Sequence, residues 1–116
     1  IDFLAISSYG ASTKSSGGVQ IQKVRSTDIY GKNVLIIEDI VDTGLSLKYI
    51  KSLLLERKPQ SLAICVLLDK PDRRKEIVKV DYTGFTIPDE FVIGYGLDYA
   101  GMFRHLPAIF IAEPNE

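Results

Sequence analysis

Residues Val34 to Ser46 read VLIIEDIVDTGLS. The apolar run Val34-Leu35-Ile36-Ile37 is short and mostly β-branched, as expected of a buried strand in a parallel sheet. Glu38 and Asp39 follow at once, two carboxylates where such a strand would leave the core. Asp42-Thr43-Gly44 then precedes Leu45 to Lys58, in which Leu47, Ile50 and Leu54 recur at helical spacing and Pro59 closes the segment. A strand, a short loop with hydroxyls and a glycine, and a helix N-terminus together form a phosphate cradle. Free backbone N–H groups and the positive helix end both favour an anion there. Carboxylates beside a phosphate would repel it, so the pair implies bound Mg²⁺ or contacts with sugar hydroxyls. The stretch asks for a sugar phosphate.

Two plainer readings compete. One is a strand that ends in solvated acids capping the next helix, but Asp, Thr, Gly and Ser all following at this spacing argue against it. A phosphorylation receiver also carries an acidic pair after its first apolar strand. Here the pair sits behind another strand-like segment, which counts against that option.

On the N-terminal side, Phe3 to Ser7 reads as a buried strand. Ser8 to Gly18 (SYGASTKSSGG) has almost nothing to bury, and Val19 to Val24 alternates apolar with polar as a half-exposed strand does. A loop of that length inside a compact domain is usually functional or disordered. On the C-terminal side, Gly31-Lys32-Asn33 turns the chain into the central strand. Ser61 to Leu68 (SLAICVLL) is a second buried strand, ending in Asp69-Lys70-Pro71, and Arg73-Arg74-Lys75 reads as a solvated turn. Val80 to Thr86, Phe91 to Gly94 and Ala108 to Ala112 are shorter strands. Strands alternating with at least one helix predict a single α/β domain over residues 1–116 with a largely parallel sheet. Ligands of such sheets sit at the carboxyl ends of the strands, where Glu38, Asp39 and Lys70 are placed.

Composition narrows the class. With 116 residues, 46% hydrophobic and 25% charged, the chain suits one globular domain with a modest core. A net charge of −1 argues against nucleic acid as a main partner. No apolar run approaches membrane-spanning length, so no membrane partner is expected. The one cysteine, Cys65, lies inside an apolar run and reads as a small core residue, which suits a reducing cytoplasm.

VLIIEDIVDTG matches the phosphoribosyl-pyrophosphate signature of the type I phosphoribosyltransferases. Together with DFLAISSYG, LLDK and GFTIPDEFVIGYGLDYAGMFRHLP, the chain resembles the bacterial hypoxanthine(-guanine) branch of that family over nearly its whole length. The resemblance implies the family's fold, a largely parallel central sheet with flanking helices. It also implies that this sequence starts partway through a longer protein. The chain begins at Ile1, and the family has a considerable portion before this strand, with a pyrophosphate-binding loop that nothing here matches. The implied chemistry is transfer of 5-phosphoribosyl from phosphoribosyl pyrophosphate to a 6-oxopurine, with Mg²⁺ on the diphosphate. A homo-oligomer, dimer or tetramer, is implied as well.

The roles follow residue by residue. Asp42, Thr43, Gly44, Leu45 and Ser46 would form the 5′-phosphate loop, through backbone N–H groups and hydroxyls. Glu38 and Asp39 would hold the ribose hydroxyls, directly or through Mg²⁺. Asp42 would also take the proton at purine N7 as a general base. Lys70, alone a snorkelling surface lysine, would donate to the purine 6-oxo group, favouring hypoxanthine or guanine over adenine. Phe91, alone a core aromatic, would stack on the base, with the Val92 backbone at the purine edge. Asp98, otherwise a turn cap, would ligate Mg²⁺. Arg104, otherwise a surface charge, would contact pyrophosphate. Ser8 and Tyr9 would form the base of a mobile lid over residues 8–18. His105, the only histidine, has no assigned role. The alternative is a related regulator that binds nucleotide without turnover, which would need neither Asp42 as base nor a purine pocket.

Overall fold

The computed structural model describes residues 1–8, 19–23 and 28–113. Strands β1 (Ala5–Ser8) and β2 (Val19–Lys23) pair antiparallel. The lid is expected over residues 8–18, all of which except Ser8 lie outside the described residues, Tyr9 included. The chain then builds β3 (Asn33–Val41), helix α1 (Leu45–Leu55) and β4 (Ser61–Asp69). A 3₁₀ turn (Pro71–Arg73), β5 (Tyr82–Thr86), β6 (Val92–Ile93) and β7 (Phe110–Ile111) follow. β3, β4 and β5 form a parallel sheet in that order, and β6 pairs antiparallel with β7 in a separate two-stranded ribbon.

The apolar periodicity explains the packing. Leu47, Ile50 and Leu54 share one face of α1 and are buried against Ile36 of β3 and Ile64 and Val66 of β4. A β3–α1–β4 crossover lays its helix on one face of the sheet, and strand side chains alternate between faces. Ile36 is therefore 9% exposed while its neighbour Ile37 is 74% exposed.

Several expectations need correction. The strand at Val34 to Ile37 was to be central and buried. It stands instead at the edge of the three-stranded sheet, and β4 is the central strand. One face of that sheet, carrying Leu35, Ile37 and Tyr82, is exposed. The flanking helices reduce, among the described residues, to the single α-helix α1. That helix stops at Leu55 rather than Lys58, because Lys58 has a positive φ of 55° and Pro59 lacks the N–H to continue. Phe3 lies before β1 and is exposed, not part of a buried strand. β5 starts at Tyr82 and is exposed along its length. Cys65 points to the open face and is half-buried rather than fully in the core.

Candidate active site

β3 does not end at the acidic pair. It continues two residues beyond, so Glu38 and Asp39 are consecutive strand residues pointing to opposite faces. Glu38 turns inward, level with Val66 on β4, while Asp39 is exposed and its carboxylate accepts the Ile40 N–H at 2.7 Å. Burial, and then the Asp39 charge beside it, push the Glu38 carboxyl above its ordinary value.

After Val41 the chain bends through Asp42, Thr43 and Gly44 into α1. Gly44 is the N-cap and adopts a left-handed φ of 85° that glycine tolerates best. The Thr43 hydroxyl accepts the Leu45 N–H at 3.3 Å, and Lys48 N–H closes the first helical turn on the Gly44 carbonyl at 2.9 Å. Leu45 and Ser46 thus occupy the first turn, where backbone N–H groups lack intrahelical acceptors. A cleft of about 350 Å³ opens beside this turn. Glu38, Asp42, Thr43, Gly44 and Ser46 line it, over a floor that includes Val41, Leu47 and Ile50. Asp39 is not on its wall. The loop therefore leads straight into a helix and borders a cavity, as the motif requires.

The carboxyl end of β4 lies alongside. Lys70 donates its backbone N–H to the Val41 carbonyl at 3.0 Å, and its residue exposure is only 7%. It forms no ion pair with the described residues. A lysine this buried is not the snorkelling surface residue that its position alone suggested.

Four further residues sit in the ribbon that follows and in the segments beside its strands. Phe91 is partly exposed and meets Tyr99 edge-on at a centroid distance of 5.5 Å. Val92 opens β6. The Asp98 carboxylate accepts the Gly101 N–H at 2.8 Å and lies 3.3 Å from Arg104, whose guanidinium also donates to the Gly96 carbonyl at 2.9 Å. Asp98 and Arg104 are thus brought together, each engaged by the other and by a turn. Ser8 ends β1.

In the basic run Arg73-Arg74-Lys75, Arg73 and Lys75 are exposed as expected of a solvated turn but Arg74 is not, and the contacts of the two arginines with the site are the main feature that sequence reading missed. Arg73 Nε stands 2.7 Å from Asp42 Oδ1, and its guanidinium is 3.7 Å from Asp89, two residues before Phe91. The Arg73 N–H is not aimed along that short contact, so Asp42 Oδ1 remains a buried acceptor without an aligned donor. Arg74 is largely buried, pairs with the Asp69 carboxylate and donates to the Asp42 carbonyl at 3.2 Å. The available signal was position: cations a few residues beyond a strand's carboxyl end, where parallel sheets bind ligands.

Residues 1–100 match the family model described as the phosphoribosyl transferase domain. The chain is 53% identical over 109 residues to hypoxanthine phosphoribosyltransferase of Escherichia coli K12, covering 94% of this chain and 61% of that protein. It is 54% identical over 115 residues to hypoxanthine-guanine phosphoribosyltransferase of Staphylococcus aureus Mu50, covering 99% of this chain and 64% of the relative. A crystal structure of a Staphylococcus aureus hypoxanthine phosphoribosyltransferase superposes with a TM-score of 0.89 at 53% identity, over 97% of this chain and 61% of that one. The chain thus spans less than two thirds of the length of these relatives.

Proposed function

Because the chain belongs to the phosphoribosyl transferase domain family, we propose that it carries the active-site half of a purine-salvage transferase. The reaction moves 5-phosphoribosyl from phosphoribosyl pyrophosphate to hypoxanthine or guanine, giving IMP or GMP and pyrophosphate. The observation that carries this reading is the cleft in which Glu38, Asp42, Thr43, Gly44 and Ser46 meet at the N-terminus of α1.

The donor's 5′-phosphate sits at the first turn of α1, held by backbone N–H groups and by the Thr43 and Ser46 hydroxyls. Glu38 holds the ribose from the cleft wall, with Asp39 at the strand's other face. Asp42 accepts the proton leaving purine N7, and its Oδ1, paired with Arg73 but without an aligned hydrogen-bond donor, is the acceptor for it. Lys70 donates to the 6-oxo oxygen, Phe91 stacks on the ring, and the Val92 backbone reads its edge. Arg104 balances the departing pyrophosphate. Such chemistry depends on orientation and on charge placed where it develops in the transition state.

Mg²⁺, when bound, neutralises the diphosphate and makes it a better leaving group. The residues fit such an ion. Burial, and then the Asp39 charge, hold Glu38 back from ionising, and a divalent cation bound there would favour its carboxylate. Among the described residues no cluster of three or more metal ligands occurs. Mg²⁺ would be held by one or two of these carboxylates together with substrate oxygens. Asp98 is the third candidate ligand and would have to give up its contact with Arg104.

A homo-oligomer is part of the same proposal, supported by the exposure of Tyr82, Phe85, Phe110 and Ile111. No described helix is long and apolar enough to cross a membrane. The testing assay gives the full-length protein phosphoribosyl pyrophosphate, Mg²⁺ and hypoxanthine, guanine or adenine in turn. IMP and GMP should form and AMP should not. Efficient adenine use would sink the 6-oxopurine assignment, and binding of phosphoribosyl pyrophosphate without any turnover would point to the regulator instead.

A further inference from the structure

The loop at Asp42 to Gly44 has two sides. Its front lines the cleft, and its back rests on three consecutive residues of a strap, Arg74, Lys75 and Glu76. The Lys75 and Glu76 backbone N–H groups both donate to the Thr43 carbonyl, at 2.8 and 3.1 Å. Arg74 Nε donates to the Asp42 carbonyl at 3.2 Å. Gly44 packs so closely that an added Cβ would lie 2.9 Å from the Glu76 carbonyl and 3.0 Å from Arg74 Cδ. The strap is anchored in turn, because the Arg74 guanidinium pairs with the Asp69 carboxylate at the end of β4 and both side chains are largely buried. Lys48 of α1 reaches the Glu76 carboxylate at 2.8 Å, closing the brace around the loop.

We propose that Arg74 is a positioning residue that sets the phosphate loop against the end of β4. This rests on the reading of the loop given under Proposed function. Arg74 touches no substrate in that reading. Its planar fork meets two demands at once, a neutral carbonyl through Nε and a carboxylate through Nη2. A lysine carries all its donors on one nitrogen, which cannot stand where both Nε and Nη2 stand. Backbone N–H groups bind an anion only when they converge on it, so a loop freed from the Asp42 carbonyl contact loses donor affinity before it loses fold.

The test uses Arg74→Lys and Arg74→Ala in the full-length protein, with steady-state kinetics in which phosphoribosyl pyrophosphate and hypoxanthine are varied separately. Arg74→Lys keeps a cation against Asp69 and should melt near the wild type. Its KM for phosphoribosyl pyrophosphate should rise about ten-fold, the size of one hydrogen bond to a charged group. Its kcat and its KM for hypoxanthine should change by less than about three-fold, since the lost contact belongs to binding of the donor. Arg74→Ala should raise the same KM further and also lower the melting temperature. A merely structural role would lower the active fraction, and so kcat, with both KM values unmoved. A folded Arg74→Lys with wild-type KM for phosphoribosyl pyrophosphate overturns the proposal, even if Arg74→Ala fails to fold. If the wild type transfers phosphoribosyl to no purine, the reading of the site itself falls, and the role of Arg74 falls with it.

Discussion

Lys70 and Asp42 make opposite demands on the same reaction, and their substitutions should separate accordingly. Lys70 offers donors and no acceptor, and it is 7% exposed at the end of β4. Lys70→Ala should weaken purine use by about one to two decades, the value of a charge-assisted hydrogen bond of roughly 1.5–3 kcal/mol. Binding of phosphoribosyl pyrophosphate should be nearly unaffected. Asp42→Asn keeps the shape and removes the base, so kcat should fall while both KM values hold. Steady-state kinetics on the two variants check both statements. Glu38 gives a pH signature of its own. Burial, then Asp39, raise its carboxyl in the folded state. The protonated form is thus the one folding favours, and the stability it contributes is complete at acid pH. That contribution is lost as pH rises through the raised value. Glu38→Gln removes the loss, so its melting temperature should exceed the wild type's at neutral pH, and the gap should narrow on acidification. A gap independent of pH would contradict the burial argument. These roles were legible unevenly. Asp42, Thr43, Gly44 and Ser46 announce themselves because one short segment carries them all. Arg74 was not legible, since Asp69 stands five residues before it but Asp42 is brought beside that pair only by the β3–β4 pairing.

At the level of elements, the parallel pairing and the helix start follow from local pattern, and the position of β3 does not. Four apolar residues in a row suit burial on both faces, as in a fully covered parallel strand. The described chain supplies a helix to one face only, so the same residues alternate between core and solvent. Neighbouring substitutions should reveal the asymmetry. Ile36→Ala leaves a cavity under α1 and should cost about 2–4 kcal/mol, whereas Ile37→Ala should cost less than about 1 kcal/mol. Chemical denaturation of this chain measures both. Equal costs would mean that the outer face is covered in solution by something that also buries Ile37. The short ribbon of β6 and β7 was anticipated as strands, but its separation from the main sheet was not. Two-residue strands carry no periodicity from which a partner could be deduced.

Across the whole molecule, family membership and geometry meet at one end of the sheet, where β3, β4 and the strap after β4 converge on the anion loop. The other side of β3 tells a different story, because among the described residues no strand pairs with its outer edge. A parallel strand with one neighbour has every second amide tied into the sheet and the intervening ones turned away. In deuterated water, β3 should therefore exchange with a two-residue rhythm, slow amides alternating with fast ones from Val34 to Ile40. β4, held on both sides from Cys65 to Asp69, should exchange slowly throughout that half. Residue-resolved NMR of the isolated chain would read this alternation directly. Its disappearance as protein concentration rises, or in a longer protein, would time-stamp the moment at which that open edge acquires a neighbour.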